Sequence, residues 1–596
     1  MDGHTVWIEE LEKEVRERIA FLERESLRLS NGRGLLFLFA LILAIFAFQN
    51  PERYLFHGFC GLSLLGFTFL AYFHKKKRNE KEELETIRQI ASDYRKKKTC
   101  DFSGFEFNGT EFYKEGEGRL DTSKYPEDLH IVGENSLFQF LNAAVSGGGR
   151  YRLFQALLHP NPLPEEIGAN QAAIEELAAN RNFVLYFQQK MRKGKDLKDR
   201  RLSASFLQES MRNRKKSLLV LALSVPLSLA TVLTLVLGLL GALSLNLFNL
   251  LFSLQIALSL FYGKVFEREF HSISADISPA SRFQDLYSFI VNMDFAAEKN
   301  VALRADIAEG IASLKKFRRL DNLDSLRKNI FSYLFFNGFC SINAWIAYRY
   351  YSILEEDKQA MIRSLRAIEE FELLISLCSV NLLKETICKP EILSVTEFAA
   401  EGLVYPLIPE ELCVSNDFAC GEELNIITGS NMSGKTSFMR SIGVNMVLTY
   451  AGAFANASGF RVPILRLFTS INVKDDISKG ISTFYGELLR IRDILDFVKK
   501  SERPIIVFID EIFKGTNYAD RIYGAKKVLE QLSRIPCIVF LTTHDFELCE
   551  MEDGKIKNYH FSEEYRDGKM VFSHKIKAGK CESTNAKELM REIGIV

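Results

Sequence analysis

The sequence predicts a mixed fold, α-helical up to about residue 398 and α/β beyond it, and three observations predict it. Between Lys216 and Lys264 stand 47 consecutive residues with no Asp, Glu, Lys, Arg or His. From about 280 to 380 apolar residues recur at helical spacing, with few prolines or glycines to interrupt them. From 400 onward short Val- and Ile-rich runs alternate with helical ones, the pattern of βαβ units and a mainly parallel sheet.

The 596 residues give room for about three or four domains. With 76 basic and 76 acidic residues the formal net charge is zero, so any surface for nucleic acid or an acidic substrate has to be local. The 10 cysteines are scattered, form no Cys-x-x-Cys pair and stand at no metal-ligand spacing with histidine. Cys537 and Cys549, flanking an apolar run, read as buried thiols, and the pattern fits a reduced, cytosol-facing protein.

Residues 1–33 are rich in Glu and Arg and are no secretory signal. Ile8, Leu11, Val15, Ile19 and Leu22 make one amphipathic helix there, its apolar stripe directed at the protein itself, a partner or a membrane surface. Residues 34–80 read as a first transmembrane hairpin, Gly34 to Phe48 and Tyr54 to Phe73. The second run reaches the ~20 residues a bilayer requires, while the first needs snorkelling flanks. The following "HKKKRNEK" is retained in the cytoplasm under the positive-inside rule. A hairpin buried in a large soluble core is the alternative reading.

Residues 81–211 begin a helical core, and 212–266 form a second hairpin. One helix over the uncharged stretch would extend ~70 Å, so two spans with a turn near Gly238 to Ser244 fit instead. "RNRKK" at 212–216 and Lys264 with Arg268 flank them on one side. Four spans thus give a multi-pass protein of the cell (inner or plasma) membrane with every large segment in the cytoplasm. Residues 267–398 complete the helical core, and within it "NIFSYLFFNGFCSINAWIAYRYY" (329–351) reads as a buried helix of the soluble body.

Residues 399–596 carry the chemistry. Gly429, Ser430, Asn431, Met432, Ser433, Gly434, Lys435 and Thr436 satisfy GxxxxGK[ST] between a strand, "ELNIIT", and a helix, "SFMRSIGVNMVL", that opens at Ser437. Backbone N–H groups of such a loop turn inward around a β-phosphate at a helix N-terminus whose dipole favours anions. Lys435 is expected to reach the β- and γ-phosphates of ATP, and Thr436 to ligate Mg²⁺. "RPIIVFIDE" (503–511) ends in two carboxylates: Asp510 suits a Mg²⁺ contact, and Glu511 a base for the attacking water. His544, ending the strand "CIVFLTTHD", suits a γ-phosphate sensor; the other eight histidines are assigned nothing. The fold class is therefore α+α/β: transmembrane helical hairpins, a helical core and a C-terminal P-loop (ABC-type) α/β ATPase domain.

These residues resemble the ATPase domain of the MutS DNA mismatch-repair family, whose phosphate loop reads TGPNMxGKS against "TGSNMSGKT" here. "DDISKGISTFYGELLRIRDIL" (475–495), "DEIFKGTNYAD" (510–520) and "TTHDFEL" (542–548) are similar to its later motifs. Upstream, residues 136–177 resemble the start of the family's helical core and 371–380 the end of its lever helices. The resemblance implies composite ATP sites in a homodimer, with Ser482 reaching the partner's γ-phosphate, Asn431 near the phosphates, and Gly515 and Thr516 lining the opposing site. Residues 1–100 stand where soluble members carry a mismatch-reading module with a Phe-x-Glu motif; Phe105-Glu106-Phe107 lies in too small a segment to be one. Cys413 falls where the family offers an aromatic platform for adenine, and the chain leaves no room after Val596 for a further dimerisation segment.

DNA as a partner follows from the resemblance alone. "MRKGKDLKDRR" (191–201) adjoins a predicted span, where topology accounts for basic residues, and "KKFRR" (315–319) reads as a solvated helix face. Two readings stand: the ATPase closes a clamp on mismatched or branched DNA, or it drives a cycle on a membrane or protein partner without DNA.

Overall fold

The computed structural model describes residues 3–49, 54–113, 124–158, 163–193, 214–272, 283–430, 432–471, 483–500, 504–566 and 569–581. They fall into two compact units, Met1–Asp101 with Asn182–Lys193, and Phe102–Arg181 with Gly194–Val596.

The first unit is a pair of long packed helices, α1 (Gly3–Gln49) and α2 (Tyr54–Lys98). The expected break between an amphipathic helix and a first span is absent, because no proline or capping turn interrupts the chain between residues 3 and 49. Gly32 allows close approach: a Cβ there would meet Leu70 Cδ1 at 3.4 Å. Ile8, Val15, Ile19 and Leu22 are buried, as are Ile90, Ala91 and Tyr94 of α2, so the stripe packs on its own unit. Phe183, Val184, Phe187 and Met191 of the helix Arg181–Arg192 are buried too, with Lys190 3.2 Å from Glu83 and Arg192 2.7 Å from Asp93. Past residue 34 the pattern inverts: Leu35, Phe37, Leu38 and Phe39 on α1, and Leu62, Leu65 and Phe69 on α2, are all exposed.

In the second unit the helical part comprises α3 (Gly147–Leu157), α4 (Arg214–Leu239), α5 (Leu245–Val265), α6 (Glu298–Ser325), α7 (Ile330–Cys340) and α8 (Ile342–Leu377), among others. The turn between α4 and α5 falls where the sequence puts it: Gly241 has φ 74° and the Ser244 side chain caps α5 through the Asn246 N–H at 3.2 Å. Val6–Phe46, Lys215–Leu239 and Leu245–Val265 are long and apolar enough to cross a membrane, and α7 with the helix after it, bent by 79°, is a fourth candidate.

That bend corrects the reading of 329–351 as one buried helix. Ser341, at φ 49°, ends α7 and begins α8. Ile330, Phe331, Phe335 and Trp345 are exposed, and α7 packs on α4 and α5, with Phe339 5.3 Å from Phe252. Inside this bundle buried polar residues meet one another. Gln255 donates to Ser228 Oγ at 2.7 Å and to Ser341 Oγ. Asn343 donates to Ser259 at 3.0 Å and Tyr333 at 3.2 Å, and accepts from Arg327 at 2.8 Å.

The 36-residue α8, about 54 Å long, runs from this bundle to the α/β domain. Its far end presents Glu369 and Glu372 to the start of α3, and α3 packs on the helix that follows the phosphate loop. Gly148 and Gly149 are required there: a Cβ would lie 2.0 Å from Glu369 Oε1 and 2.4 Å from Glu372 Oε2. Glu372 accepts the N–H groups of Val145 at 2.7 Å and Ser146 at 3.0 Å, and burial pushes its carboxyl up to about 7.

The α/β domain holds β1 (Glu391–Leu393), β2 (Phe398–Leu403), β3 (Asn416–Cys420), β4 (Leu424–Thr428), β5 (Gly459–Pro463), β6 (Arg466–Ser470), β7 (Ile505–Asp510), β8 (Cys537–Thr542), β9 (Ile556–Arg566) and β10 (Lys569–Ala578). A six-stranded sheet runs β10-β9-β4-β8-β7-β6, parallel except for β10, and a four-stranded sheet runs β1-β5-β2-β3. Helices α9 (Lys435–Tyr450), α10 (Thr483–Lys500) and α11 (Tyr518–Leu532) complete it. Strands β4 and β8 are buried end to end, the expected state of central parallel strands.

Candidate nucleotide site

The phosphate loop leaves the C-terminal end of β4 and enters α9, so its amides and the tips of the neighbouring β7 and β8 converge on one edge of the sheet. Gly429, at φ 143°, and Gly434, at φ 112°, take left-handed backbone, and a Cβ on Gly429 would lie 2.9 Å from both Phe561 O and Ser433 Oγ. The Lys435 ammonium donates to the carbonyls of Gly429 and Ser430, each at 2.8 Å, and burial lowers its pKa. Ser433 Oγ is buried with no hydrogen-bond partner, a polar group still to be satisfied. Met432 points outward, 85% exposed, and Ser437 joins the lining of the cleft.

Thr436 Oγ1 stands 3.1 Å from each Asp510 oxygen, and Thr542 Oγ1 donates to Asp510 at 2.5 Å. Among the described residues no group of three His, Cys, Asp or Glu side chains is set to hold a metal. A hydroxyl and a carboxylate with room for phosphate oxygens is the donor set Mg²⁺ takes beside a nucleotide, so these residues fit that ion.

Glu511 follows at the tip of β7 with φ 52°, its N–H donating to Thr542 O at 3.0 Å. Its carboxylate faces His544 Nε2 at 3.2 Å and Lys514 Nζ at 3.1 Å. The hydrogen bond from His544, helped by Lys514, holds the carboxyl down at about 2. The sequence thus named Lys435, Thr436, Asp510, Glu511 and His544 separately, and the fold brings them together. Asn431 and Ser482 lie outside the described residues.

Of two further residues, Glu487 lies in a quoted motif without a role assigned to it, and His574 escaped the sequence reading. Glu487 is buried and accepts the backbone N–H groups of Phe513 and Lys514, holding a turn in which Phe513 has φ 60°. Gly515 completes that turn; a Cβ on it would meet Phe484 Cβ at 2.9 Å. His574 reaches the phosphate loop from β10, its Nδ1 donating to Ser433 O at 3.0 Å, while Asn416 donates to His574 O at 3.0 Å. A register shift between Phe572 and Ile576 delivers it, and no local signal in the sequence reports such a bulge.

The cleft beside the loop, about 420 Å³, is lined by Tyr405, Ile408, Leu412, Cys413, Phe561 and His574. Cys413 does line it, its Sγ 3.7 Å from Ile408 O. A larger cavity of about 760 Å³ next to Lys299 and Glu370 offers no phosphate cradle, because its charges answer one another: Lys299 lies 2.5 Å and Arg152 2.8 Å from Glu370.

Parallel sheet, glycine loop and paired carboxylates define a phosphate-loop nucleotide-binding domain. Residues 425–593 match the MutS domain V family. Over 253 residues the chain is 31% identical to the DNA mismatch repair protein MutS of Bacillus thuringiensis (strain Al Hakam), a match covering 40% of this chain and 28% of the relative. The same figures hold for the proteins of that name from Bacillus cereus (strain 03BB102) and Bacillus anthracis (strain CDC 684 / NRRL 3495). The chain thus carries the MutS family's domain V, and it spans 28% of the length of these relatives.

Proposed function

We propose that this protein is a membrane-anchored MutS-type ATPase that binds and hydrolyses ATP with Mg²⁺ at composite sites of a homodimer, and so drives a clamp cycle on mismatched or branched DNA. The observation that carries the ATPase reading is the meeting of Thr436 Oγ1 with both Asp510 oxygens at 3.1 Å, between Lys435 and Glu511. Lys435 binds the β- and γ-phosphate oxygens in place of the loop carbonyls it now meets. Thr436 and Asp510 would hold the Mg²⁺, which supplies charge neutralisation across the phosphates. Glu511, kept ionised by His544 and Lys514, accepts the proton of the attacking water. Ser482 completes the site of the partner in the dimer, and DNA is the object because the relatives are mismatch-repair proteins.

The anchoring part of the reading is supported by the helices long and apolar enough to span a bilayer. One observation favours a second reading, in which the same cycle acts on a membrane or protein partner: α8 joins the α/β domain's neighbour α3 to the apolar bundle of α4, α5 and α7. The two are separated by assaying the full chain in nanodiscs for ATP hydrolysis with duplex, mismatched and branched DNA. Stimulation by one of these, with binding that weakens steeply as salt rises, supports the DNA reading. Turnover indifferent to all three, with no salt-sensitive binding, overturns it in favour of the second.

A further inference from the structure

The two long helices of the first unit treat their charges differently along their length. In the charged halves three cations are answered across the hairpin: Arg18 by Glu80 at 2.7 Å, Lys81 by Glu23 at 2.8 Å, Arg95 by Glu12 at 3.3 Å. At the boundary with the apolar halves the cations are held differently. Arg33 immediately precedes the apolar run of α1, and His74 and Lys75 immediately follow that of α2. Among the described residues neither Arg33 nor Lys75 meets a carboxylate.

Arg33 is nonetheless oriented. Its Nη1 donates to His74 Nδ1 at 3.2 Å, and the ring's Nε2 donates in turn to Ser26 Oγ at 3.0 Å. Held between Ser26 and Arg33, the His74 ring acts as a prop for the guanidinium. The guanidinium also lies 5.7 Å from the Phe67 ring centre. A cavity of about 450 Å³ opens here, lined by Arg33, Ala71, His74, Lys75, Arg78 and Asn79. Arg78 is answered by Glu82, also at the cavity wall, at 3.1 Å, which leaves Arg33 and Lys75 as the cations facing the cavity without an acid. From here the apolar halves of both helices begin, with Leu35 and Leu38 on α1 and Phe69 and Tyr72 on α2 exposed.

We propose that this cavity binds the anionic phosphodiester headgroup of a bilayer phospholipid, with Arg33 and Lys75 on the phosphate oxygens and His74 positioning Arg33. The inference rests on the reading of α1 and α2 as membrane helices. A guanidinium fork and an ammonium beside it match phosphate oxygens, and basic groups at the end of a span are where anionic headgroups lie. The exposed apolar halves of the two helices select a lipid over phosphate in solution, because acyl chains cover surface that a free ion leaves in water.

The test uses the full chain in nanodiscs of equal phosphatidylcholine and phosphatidylglycerol, re-extracted into neutral detergent, with retained lipid read by native mass spectrometry. Phosphatidylglycerol is retained over phosphatidylcholine, and Lys75→Gln lowers that preference about fivefold. Lys75 is exposed and makes no hydrogen bond among the described residues, so its loss leaves the helix pair folded. Arg33→Gln with Lys75→Gln abolishes the preference. His74→Gln, whose amide oxygen still accepts from Arg33, keeps the preference that His74→Leu loses. Equal retention of the two lipids by the native chain overturns the proposal, as does a preference that survives the double substitution. Inorganic phosphate bound by the lipid-free chain as tightly as phosphatidylglycerol overturns the lipid as its source. A chain released from vesicles by alkaline carbonate sinks the membrane reading and this site with it; one that stays in the bilayer without preferring either lipid sinks this site alone.

Discussion

In the six-stranded sheet, β4 and β8 are buried along their whole length, and the polar groups Lys435, Asp510 and Glu511 gather beyond the strand tips. In the bundle of α4, α5, α7 and α8 the order is turned inside out: Ser228, Gln255, Ser341 and Asn343 are buried, while Leu229, Leu250 and Leu260 are each at least 60% exposed. Both regions bury what their surroundings reject. A sheet with apolar strands inside suits water; helices with hydroxyls and amides inside and leucine outside suit a bilayer on the proposed membrane reading, where interior hydrogen bonds hold helices together.

The most severe way to break that contrast is Leu229→Asp. At the middle of a span the substitution costs about 3 kcal/mol, and in water it costs within about 0.5 kcal/mol. Carbonate extraction reads the difference: the variant is expected to lose membrane integration, and a variant that is extracted and folded like the native chain would remove the bilayer from the comparison. Next, Glu511→Gln at the sheet's edge should lower turnover at least about a hundredfold while ATP still binds, checked by phosphate release and equilibrium nucleotide binding; undiminished release takes Glu511 out of the base role.

Asn343→Leu comes third, at about 1–2 kcal/mol, since it removes one hydrogen-bond partner each from Arg327, Ser259 and Tyr333. Thermal melts of the detergent-solubilised protein measure it, and an unchanged midpoint would mean the interior polar groups carry no stability. The mildest change is in a slope. Glu372 holds its proton up to about 7 in the fold against 4.5 in the unfolded chain. Between those values the native state binds more protons, so its contribution falls as pH rises and levels off above about 7. Glu372→Gln should flatten the melting temperature across that window relative to the native chain, and parallel curves would show that the carboxyl does not titrate there.

Much of the site was legible because its residues are consecutive. The loop from Gly429 to Thr436 and the pair Asp510-Glu511 each sit in one short motif at a strand tip, where local order dictates geometry. The turn at Gly241 was legible for the same reason. What escaped depends on contacts across the chain. His574 meets Ser433 over a separation of 141 residues, Glu372 meets Ser146 over 226, and neither pairing leaves a periodic trace. The break at Ser341 was misread because Asn and Ser within an apolar run look alike whether a soluble core or a helical bundle satisfies them. The continuity of α1 was missed because a change in composition at residue 34 is a change of surroundings, not of backbone.

The contact between Gln255 and Ser341 carries a consequence in time. The two residues are 86 positions apart, so a ribosome adding about 5–20 residues per second finishes Gln255 on the order of ten seconds before its partner exists. On the membrane reading, α4 and α5 wait through that interval with the bond from Gln255 to Ser228, at 2.7 Å, to shield both polar groups from lipid. Nascent chains arrested before residue 341 would hold the hairpin without its last helices, the stage at which quality control has most to recognise.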